Sequence, residues 1–252
     1  MLDERYKNFK DHFKDYTDNY VLIGGTAATI LAEEAFLDFR VTKDFDMVVI
    51  MENLDEEFTK HFWDYIKKAG YSDIGTSNGK HNFYRFRNPT RSDVPSEIEL
   101  FSRRPITYSI DDSVRTIPIH VSDNVTSLSA LVLDTNYYHL LAEGREVING
   151  FSVLSTKYLV VFKAKAWLDL SDRQAEGERV DSKNIKKHIN DIFRLHEILE
   201  DTEPIMLPTD VIEDMTIFID RLANSDLNPT AIPDVDSSLE EIISTYKSIL
   251  SV

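Results

Sequence analysis

The chain has 252 residues, of which 42% are hydrophobic and 11% aromatic, so it can build a folded core and is not a disordered polymer. It has no cysteine, which excludes disulfide bonds and thiolate metal sites. Its formal net charge of −16 argues against a general nucleic-acid-binding surface, since phosphate binding needs clustered Lys and Arg. No apolar run has membrane-spanning length, and the charged N-terminus lacks the apolar segment of a signal peptide, so we expect a cytoplasmic protein without membrane association.

The first half of the chain has the pattern of helices that alternate with short strands. Residues 3–18 carry aromatic side chains at spacings of three or four, which predicts an amphipathic helix. Gly70 is a normal stop for the helix before it, and residues 88–96 have the composition of a loop. The predicted helices cover residues 3–18, 26–37 and 54–69, and the predicted strands cover residues 21–23, 44–51, 83–87, 97–101 and 117–121.

Beyond about residue 125 the pattern predicts helices only. These cover residues 127–133, 137–148, 156–170, 183–199, 210–222 and 238–250. The fold class is therefore α/β (α+β), a mixed sheet with flanking helices followed by a helical C-terminal domain. We predict an α/β core over residues 1–124 and a helical domain over residues 125–252, which completes a ligand cleft between the two.

The most informative pattern lies between residues 20 and 51. A short apolar strand ends at a Gly-Gly-Thr turn at residues 24–26, and after a helix the next strand opens with Asp44 and Asp46. Side chains alternate along a strand, so the two aspartates share a face, and a divalent cation between them would relieve their repulsion. The turn offers backbone N–H groups at a helix start, which suits phosphate, although such a turn is often only a tight connection.

A third carboxylate would complete a two-metal site of the kind that clamps attacking and leaving oxygens. Glu97 and Glu99 share one face of the strand at residues 97–101. We choose Glu99, because apolar residues flank it on both sides. The alternative is an exposed position on a half-solvated sheet. Arg85 and Arg87 belong to a candidate local basic patch, for which solvated strand and loop positions are the more probable interpretation.

This combination resembles the pattern of the polymerase-beta-type nucleotidyltransferase superfamily: a glycine turn, an aspartate pair on the next strand and a third acidic residue on a later strand. Three segments are most similar to its abortive-infection (AbiEii-like) toxins, over about residues 20–200: GGTAATILAEEAFLDFRVTKDFDMVV, KYLVVFKAKAWLDL and IKKHINDIFRL. The resemblance implies a Mg²⁺- or Mn²⁺-dependent transfer of an NMP group from an NTP to an acceptor, with tRNA and protein as candidates. It also implies a toxin of a toxin–antitoxin or phage-defence pair, with an antitoxin protein as its partner.

The resemblance assigns roles position by position. Asp44 and Asp46 match the metal-binding pair, and Glu99 matches the third acidic position, where relatives commonly carry Asp. Lys163 matches a lysine that contacts the triphosphate, and Asp191 matches a late acidic residue. The residues that match the phosphate-binding turn are Gly24, Gly25 and Thr26.

The residues themselves leave alternatives open at the basic positions. Arg40 and Lys43 could meet phosphate or neutralise the acidic site. Lys163 lies in a segment that is apolar nearly all round, so it needs an anionic partner, phosphate or Asp191, unless its stem reaches solvent. For Asp191, sequence alone slightly favours an ordinary surface ion pair with Lys187.

The alternative function is a catalytically inactive module on the same fold that binds nucleotide or a partner protein. The glutamate at the third acidic position is the feature that favours this hypothesis.

Overall fold

The computed structural model describes residues 2–252 except 38, 40–41, 78–79, 104–115, 120–127, 133 and 201. Contacts divide the chain into two compact units, Met1–Ile30 with Arg40–Leu154 and Leu31–Phe39 with Ser155–Val252. The architecture is a mixed sheet with flanking helices, followed by C-terminal helices, which confirms the predicted fold class. Within the described ranges no helix is long and apolar enough to cross a membrane.

The first unit contains a mixed sheet whose described part has nine strands. The strands are β1 Tyr20–Ile23, β2 Asp44–Val49, β3 Asp73–Ser77, β4 Lys80–Arg87, β5 Glu97–Ser102, β6 Thr116–Ile119, β7 Leu128–Val132, β8 Arg145–Ile148 and β9 Phe151–Leu154. The helices of this part of the chain are α1 Glu4–Phe13, α2 Gly24–Glu34, α3 Glu56–Ala69 and α4 Thr135–Gly144.

The strand order places β2 in the middle of the sheet. The order is β3-β4-β5-β2-β1-β9-β8, and β7 pairs with both β5 and β6. β2 runs antiparallel to β1 and parallel to β5, while β4 runs antiparallel to β5. This central position gives β2 two hydrogen-bonded neighbours that hold its register.

Aromatic side chains of α1 cover one face of the central strands. Phe9 and Phe13 have ring centroids 4.6 Å apart, and Phe9 lies 5.1 Å from Phe45 of β2. Tyr6 lies 4.9 Å from the same Phe45 ring. All four side chains are fully buried, and burial of such a residue stabilises the fold by about 1.5–3 kcal/mol. The predicted amphipathic helix is confirmed, and it buries the face of β2 opposite to Asp44 and Asp46.

The second unit contains four long helices, packed against one another by aromatic and polar contacts. Trp167 meets Phe218 edge to face at 5.7 Å, and the Tyr246 hydroxyl donates to the Ile192 carbonyl over 2.7 Å. The first contact joins the helix at residues 156–175 to the helix at residues 209–223. The second contact joins the helix at residues 239–250 to the helix at residues 182–197. The helices are α5 Thr156–Ala175, α6 Ser182–Glu197, α7 Thr209–Ala223 and α8 Leu239–Leu250.

The expectation of helices only beyond residue 125 is wrong. The segment predicted as a helix at residues 127–133 is strand β7, because a short apolar run suits a buried strand as well as a helix. The helix predicted over residues 137–148 ends at Gly144 and continues as strand β8. The last two strands form a hairpin, so the compact units divide the chain after Leu154, unlike the predicted domains of residues 1–124 and 125–252.

Candidate functional site

The glycine turn packs directly against the aspartate pair. Gly24 has a φ of +66°, in the left-handed region that favours glycine, and a Cβ at this position would overlap the Asp46 carboxylate. A Cβ on Gly25 would lie 2.6 Å from Thr42 Oγ1, inside contact distance. Both glycines therefore permit a close approach of backbone to neighbouring side chains, and the carboxylate of Asp46 lies against the turn.

Thr26 ties the start of α2 to the start of β2. Its hydroxyl donates to the Asp44 carbonyl oxygen over 2.9 Å, and its side chain is fully buried. The helix begins at Gly24, two residues earlier than predicted, so the turn residues form its first turn. The first N–H groups of a helix have no acceptor within the helix, which keeps them suited to a phosphate. The Thr26 hydroxyl itself holds the strand.

Six charged side chains lie on one face of three adjacent strands, and we call this set the charged face. The register of the strands arranges them in two cross-strand rows. In one row Arg85 is opposite Glu99, which is beside Asp46. The second row is Arg87, Glu97 and Asp44. Four carboxylates thus share this face with two guanidinium groups.

The two arginines pair with the two glutamates. Arg87 Nε is 2.6 Å from Glu97 Oε2, and Arg85 Nε is 3.0 Å from Glu97 Oε1. Arg85 also binds Glu99 through Nη2. Burial raises the pKa of Glu99, and the Arg85 hydrogen bond and charge act against that rise. Glu99, the predicted third acid, is in register with Asp46, but its carboxylate is held by a guanidinium group.

The chemistry of the donor set suits a hard divalent cation. Asp44 is exposed and Asp46 is half-buried, and in a strand both project to the same side. Among the described residues no three His, Asp or Glu side chains are grouped to hold a metal ion. Asp44 and Asp46 each contribute a carboxylate to this face, and Glu99 is paired with Arg85. The assignment of all three as metal ligands stays a prediction.

One more basic residue, Arg5, lies within electrostatic range of Asp44. Arg5 on α1 hydrogen-bonds Asp3, and that bond is the main reason why its pKa is raised; the charge of Asp44 adds to the effect. Lys43, predicted to meet phosphate, is exposed beside the pair, and its carbonyl accepts from the Ser96 N–H over 2.8 Å. Arg40, predicted with it, lies outside the described residues.

Lys163 and Asp191, the late site residues, form a buried ion pair within the second unit. Lys163 Nζ is 2.7 Å from Asp191 Oδ2, and the two side chains are 3% and 0% exposed. The expected need of Lys163 for an anionic partner is confirmed, and the partner is Asp191. The surface pairing of Asp191 with Lys187 that the sequence slightly favoured is wrong, because Asp191 faces α5 rather than solvent.

Two arginines of the charged face were not predicted as site residues. Their signal is present in the sequence as Arg-x-Arg at residues 85–87 and Glu-x-Glu at residues 97–99. On neighbouring antiparallel strands, such period-two patterns place opposite charges across from each other. The loop between the two strands, at residues 88–96, was predicted, so this pairing was within reach of the sequence.

No protein-family model matches the chain, and no curated protein is significantly similar to it. The resemblance to nucleotidyltransferase toxins therefore stays a prediction from the residues. A functional assignment depends on the geometry of the glycine turn and of the charged face.

Proposed function

We propose that this protein is a metal-dependent nucleotidyltransferase. It would transfer a nucleoside monophosphate from an NTP to an acceptor hydroxyl, with cleavage of the bond between the α-phosphorus and the bridging oxygen and release of pyrophosphate. The observation that carries the proposal is the contact of Gly24 with the Asp46 carboxylate, which places a phosphate-type helix start beside a carboxylate pair. Neither part alone would support this function; their contact does.

The roles of the residues follow from where they lie. Asp44 and Asp46 would hold Mg²⁺ or Mn²⁺, and the bound cation would supply charge neutralisation for the triphosphate and the developing oxyanions. The first turn of α2, at Gly24 and Gly25, would bind phosphate oxygens through its N–H groups. Thr26 is a positioning residue, because its hydroxyl anchors the backbone of Asp44. The protein's own contribution is orientation of the reactants.

The biological setting is part of the proposal. A toxin of a toxin–antitoxin or phage-defence pair would act in the cytoplasm on tRNA or on a protein, and an antitoxin protein would restrain it. The net charge of −16 favours a protein or a small molecule over RNA as the acceptor. The resemblance also assigns roles to Lys163 and Asp191, which form a buried ion pair within the second unit.

The test is label transfer with a matched pair of variants. The protein is incubated with each labelled NTP, Mg²⁺ and a pool of tRNA or lysate. Asp46→Asn removes one proposed ligand, and we expect the rate to fall by more than about 100-fold, since even indirect partners of a metal change activity by about 10–100-fold. Asp64→Asn removes an exposed carboxylate on α3 that pairs with nearby Lys68, and should leave the rate unchanged. Transfer that survives Asp46→Asn refutes the site.

The pairing of Arg85 with Glu99 favours a second candidate, an inactive module that binds nucleotide or a partner protein. In that protein a guanidinium group would permanently replace the cation at the third acid. Calorimetry separates the two functions. Nucleotide binding that needs Mg²⁺ and Asp44, without product from any acceptor, supports the second candidate over the first.

A further inference from the structure

A cavity of about 660 Å³ lies within the second unit. It is bounded by the second half of α5, the first three turns of α6 and the loop that follows α7. Its size falls in the range of pockets that hold small molecules, about 300–1,000 Å³. None of the residues that line it has a role in the proposed nucleotidyl transfer.

The α6 wall of the cavity has an apolar row and a polar row. Ile185, Ile189 and Phe193 follow one another at a spacing of four residues, and Ile189 and Phe193 are buried. Lys186 and Asn190 form the second row, one residue further along. Residues four apart lie on one face of a helix, so this face of α6 offers the cavity a mainly apolar surface with a polar edge.

Two aromatic side chains line the cavity, Trp167 of α5 and Phe193 of α6. Phe193 is buried, whereas Trp167 is half-buried and meets Phe218 edge to face at 5.7 Å. The Phe218 contact holds the indole ring from outside the cavity. Aromatic rings attract one another beyond the effect of buried area, by offset stacking or edge contact. The cavity therefore suits an aromatic ligand better than an aliphatic one of the same shape.

The charges around the cavity favour neither an anion nor a cation. Among the described residues that line it, Lys186 and Asp226 carry charge, and both are exposed and on different walls. The net charge of −16 acts against an anion, and the neighbouring Lys183 and Lys187 of α6 act against a cation. A ligand without charge avoids both effects.

Asn190 gives such a ligand a polar contact. Its side chain is half-buried and makes no hydrogen bond within the part of the chain that the structure describes. A side-chain amide both donates and accepts hydrogen bonds, so it can bind a hydroxyl or an amide group of a ligand.

We propose that this cavity binds an uncharged aromatic small molecule, with its ring beside Trp167 and Phe193 and its polar group at Asn190. The binding site is separate from the residues of the proposed transfer reaction, so the two proposals can fail independently.

The experiment follows the two indole N–H signals in ¹⁵N NMR spectra while a probe is added. The chain has two tryptophans, Trp167 at the cavity and Trp63 in the first unit, and Trp63→Phe assigns the signals. Three probes share one ring system: 2-naphthol is neutral, 2-naphthoate is an anion and protonated 2-naphthylmethylamine is a cation. We expect 2-naphthol to shift the Trp167 signal alone, and to bind at least about threefold more tightly than either ion.

Variants locate the binding site. Ala231 lines the cavity at an exposed position, so Ala231→Phe fills space there without a change in the core, and the affinity for 2-naphthol should fall by more than about tenfold. Ala223→Phe is the matched control, at an exposed alanine that ends α7 and does not line the cavity; it should change the affinity by less than about twofold.

A second variant provides the test if Ala231→Phe does not fold. Asn190→Leu removes the amide, and we expect 2-naphthol to bind about two- to tenfold more weakly, as for the loss of one hydrogen bond. The saturated analogue 2-decalol keeps the two-ring outline without aromaticity, and it should bind the unmodified protein about two- to tenfold more weakly than 2-naphthol.

Several results would overturn the proposal. Equal shifts of both indole signals, or an affinity for 2-naphthol that Ala231→Phe and Asn190→Leu leave unchanged, would show binding elsewhere. Tighter binding of either ion, or of 2-decalol, would show that the cavity takes another class of ligand. A Trp167 signal that shifts with protein concentration before any probe is added would assign the cavity to a second copy of the chain.

Discussion

Each unit of the molecule contains an ion pair at a predicted site residue, and the two pairs differ in their access to water. Lys163 and Asp191, in the helical unit, are 3% and 0% exposed, whereas Arg85 and Glu99, in the sheet unit, are 32% and 15% exposed. Removal of one partner from a fully buried pair leaves an uncompensated charge in the core, while a partly exposed pair loses less because water solvates the remaining group. The comparison indicates that the first pair maintains the fold, whereas the second is open to water and contributes less to stability.

The largest expected effect is on the buried pair. Lys163→Met leaves the Asp191 carboxylate buried without its cation, and we expect a loss of about 3–5 kcal/mol in the free energy of unfolding. Urea unfolding followed by circular dichroism measures it. The control is Lys165→Met on the same helix, where a 35% exposed lysine pairs with Asp214 and should cost less than about 1 kcal/mol. Equal losses in the two variants would contradict the comparison.

The next effect concerns the contact between the turn and the charged face. Gly24→Ala forces a side chain into the left-handed region and against the Asp46 carboxylate, so we expect a loss of about 1–3 kcal/mol in the free energy of unfolding. Gly177→Ala is matched, because Gly177 has a φ of +87° and no atom within 4 Å of an added Cβ. The difference between the two losses in unfolding free energy measures the cost of the overlap with Asp46. Equal losses would show that Asp46 does not press on the turn.

Salt should distinguish the two ion pairs. A double-mutant cycle on Arg85 and Glu99 should give a coupling of about 1 kcal/mol or less in low salt, and it should shrink in 1 M NaCl. The corresponding cycle on Lys163 and Asp191 should give a larger coupling that salt barely changes. A buried-pair coupling that fell as steeply as the exposed one would show that water reaches α5 and α6 there.

The smallest expected effect concerns His12, a half-buried group of the sheet unit. Burial lowers the pKa of His12, whose Nε2 contacts the His61 carbonyl oxygen at 3.2 Å. Below its ordinary pKa of 6.5 the unfolded chain binds the proton more readily, so the His12 contribution to stability is lost as pH falls. His12→Gln should flatten the decline in unfolding free energy between pH 7.5 and 5.5. An unchanged slope in His12→Gln would contradict this account.

The elements of the sheet unit were predictable where one local signal decided them. The helix before Gly70 ends at that glycine, which has a φ of +71° and takes a left-handed cap. The hairpin of β8 and β9 was missed although its signal is clear: Asn149 and Gly150, with φ of +51° and +83°, form the Asn-Gly turn that favours tight hairpins. The short strand β7 had no such signal, and its pairing with β5 decides its conformation.

By itself the sequence determined which residues the candidate site contains in the sheet unit: a Gly-Gly turn that needs backbone space and two aspartates two residues apart on a strand. These follow from local rules, the steric freedom of glycine and the alternation of strand side chains. Only the tertiary structure decided the partners, Arg85 for Glu99 and Lys163 for Asp191. Partners come from register between strands and packing between helices, and those depend on contacts between residues far apart in the chain.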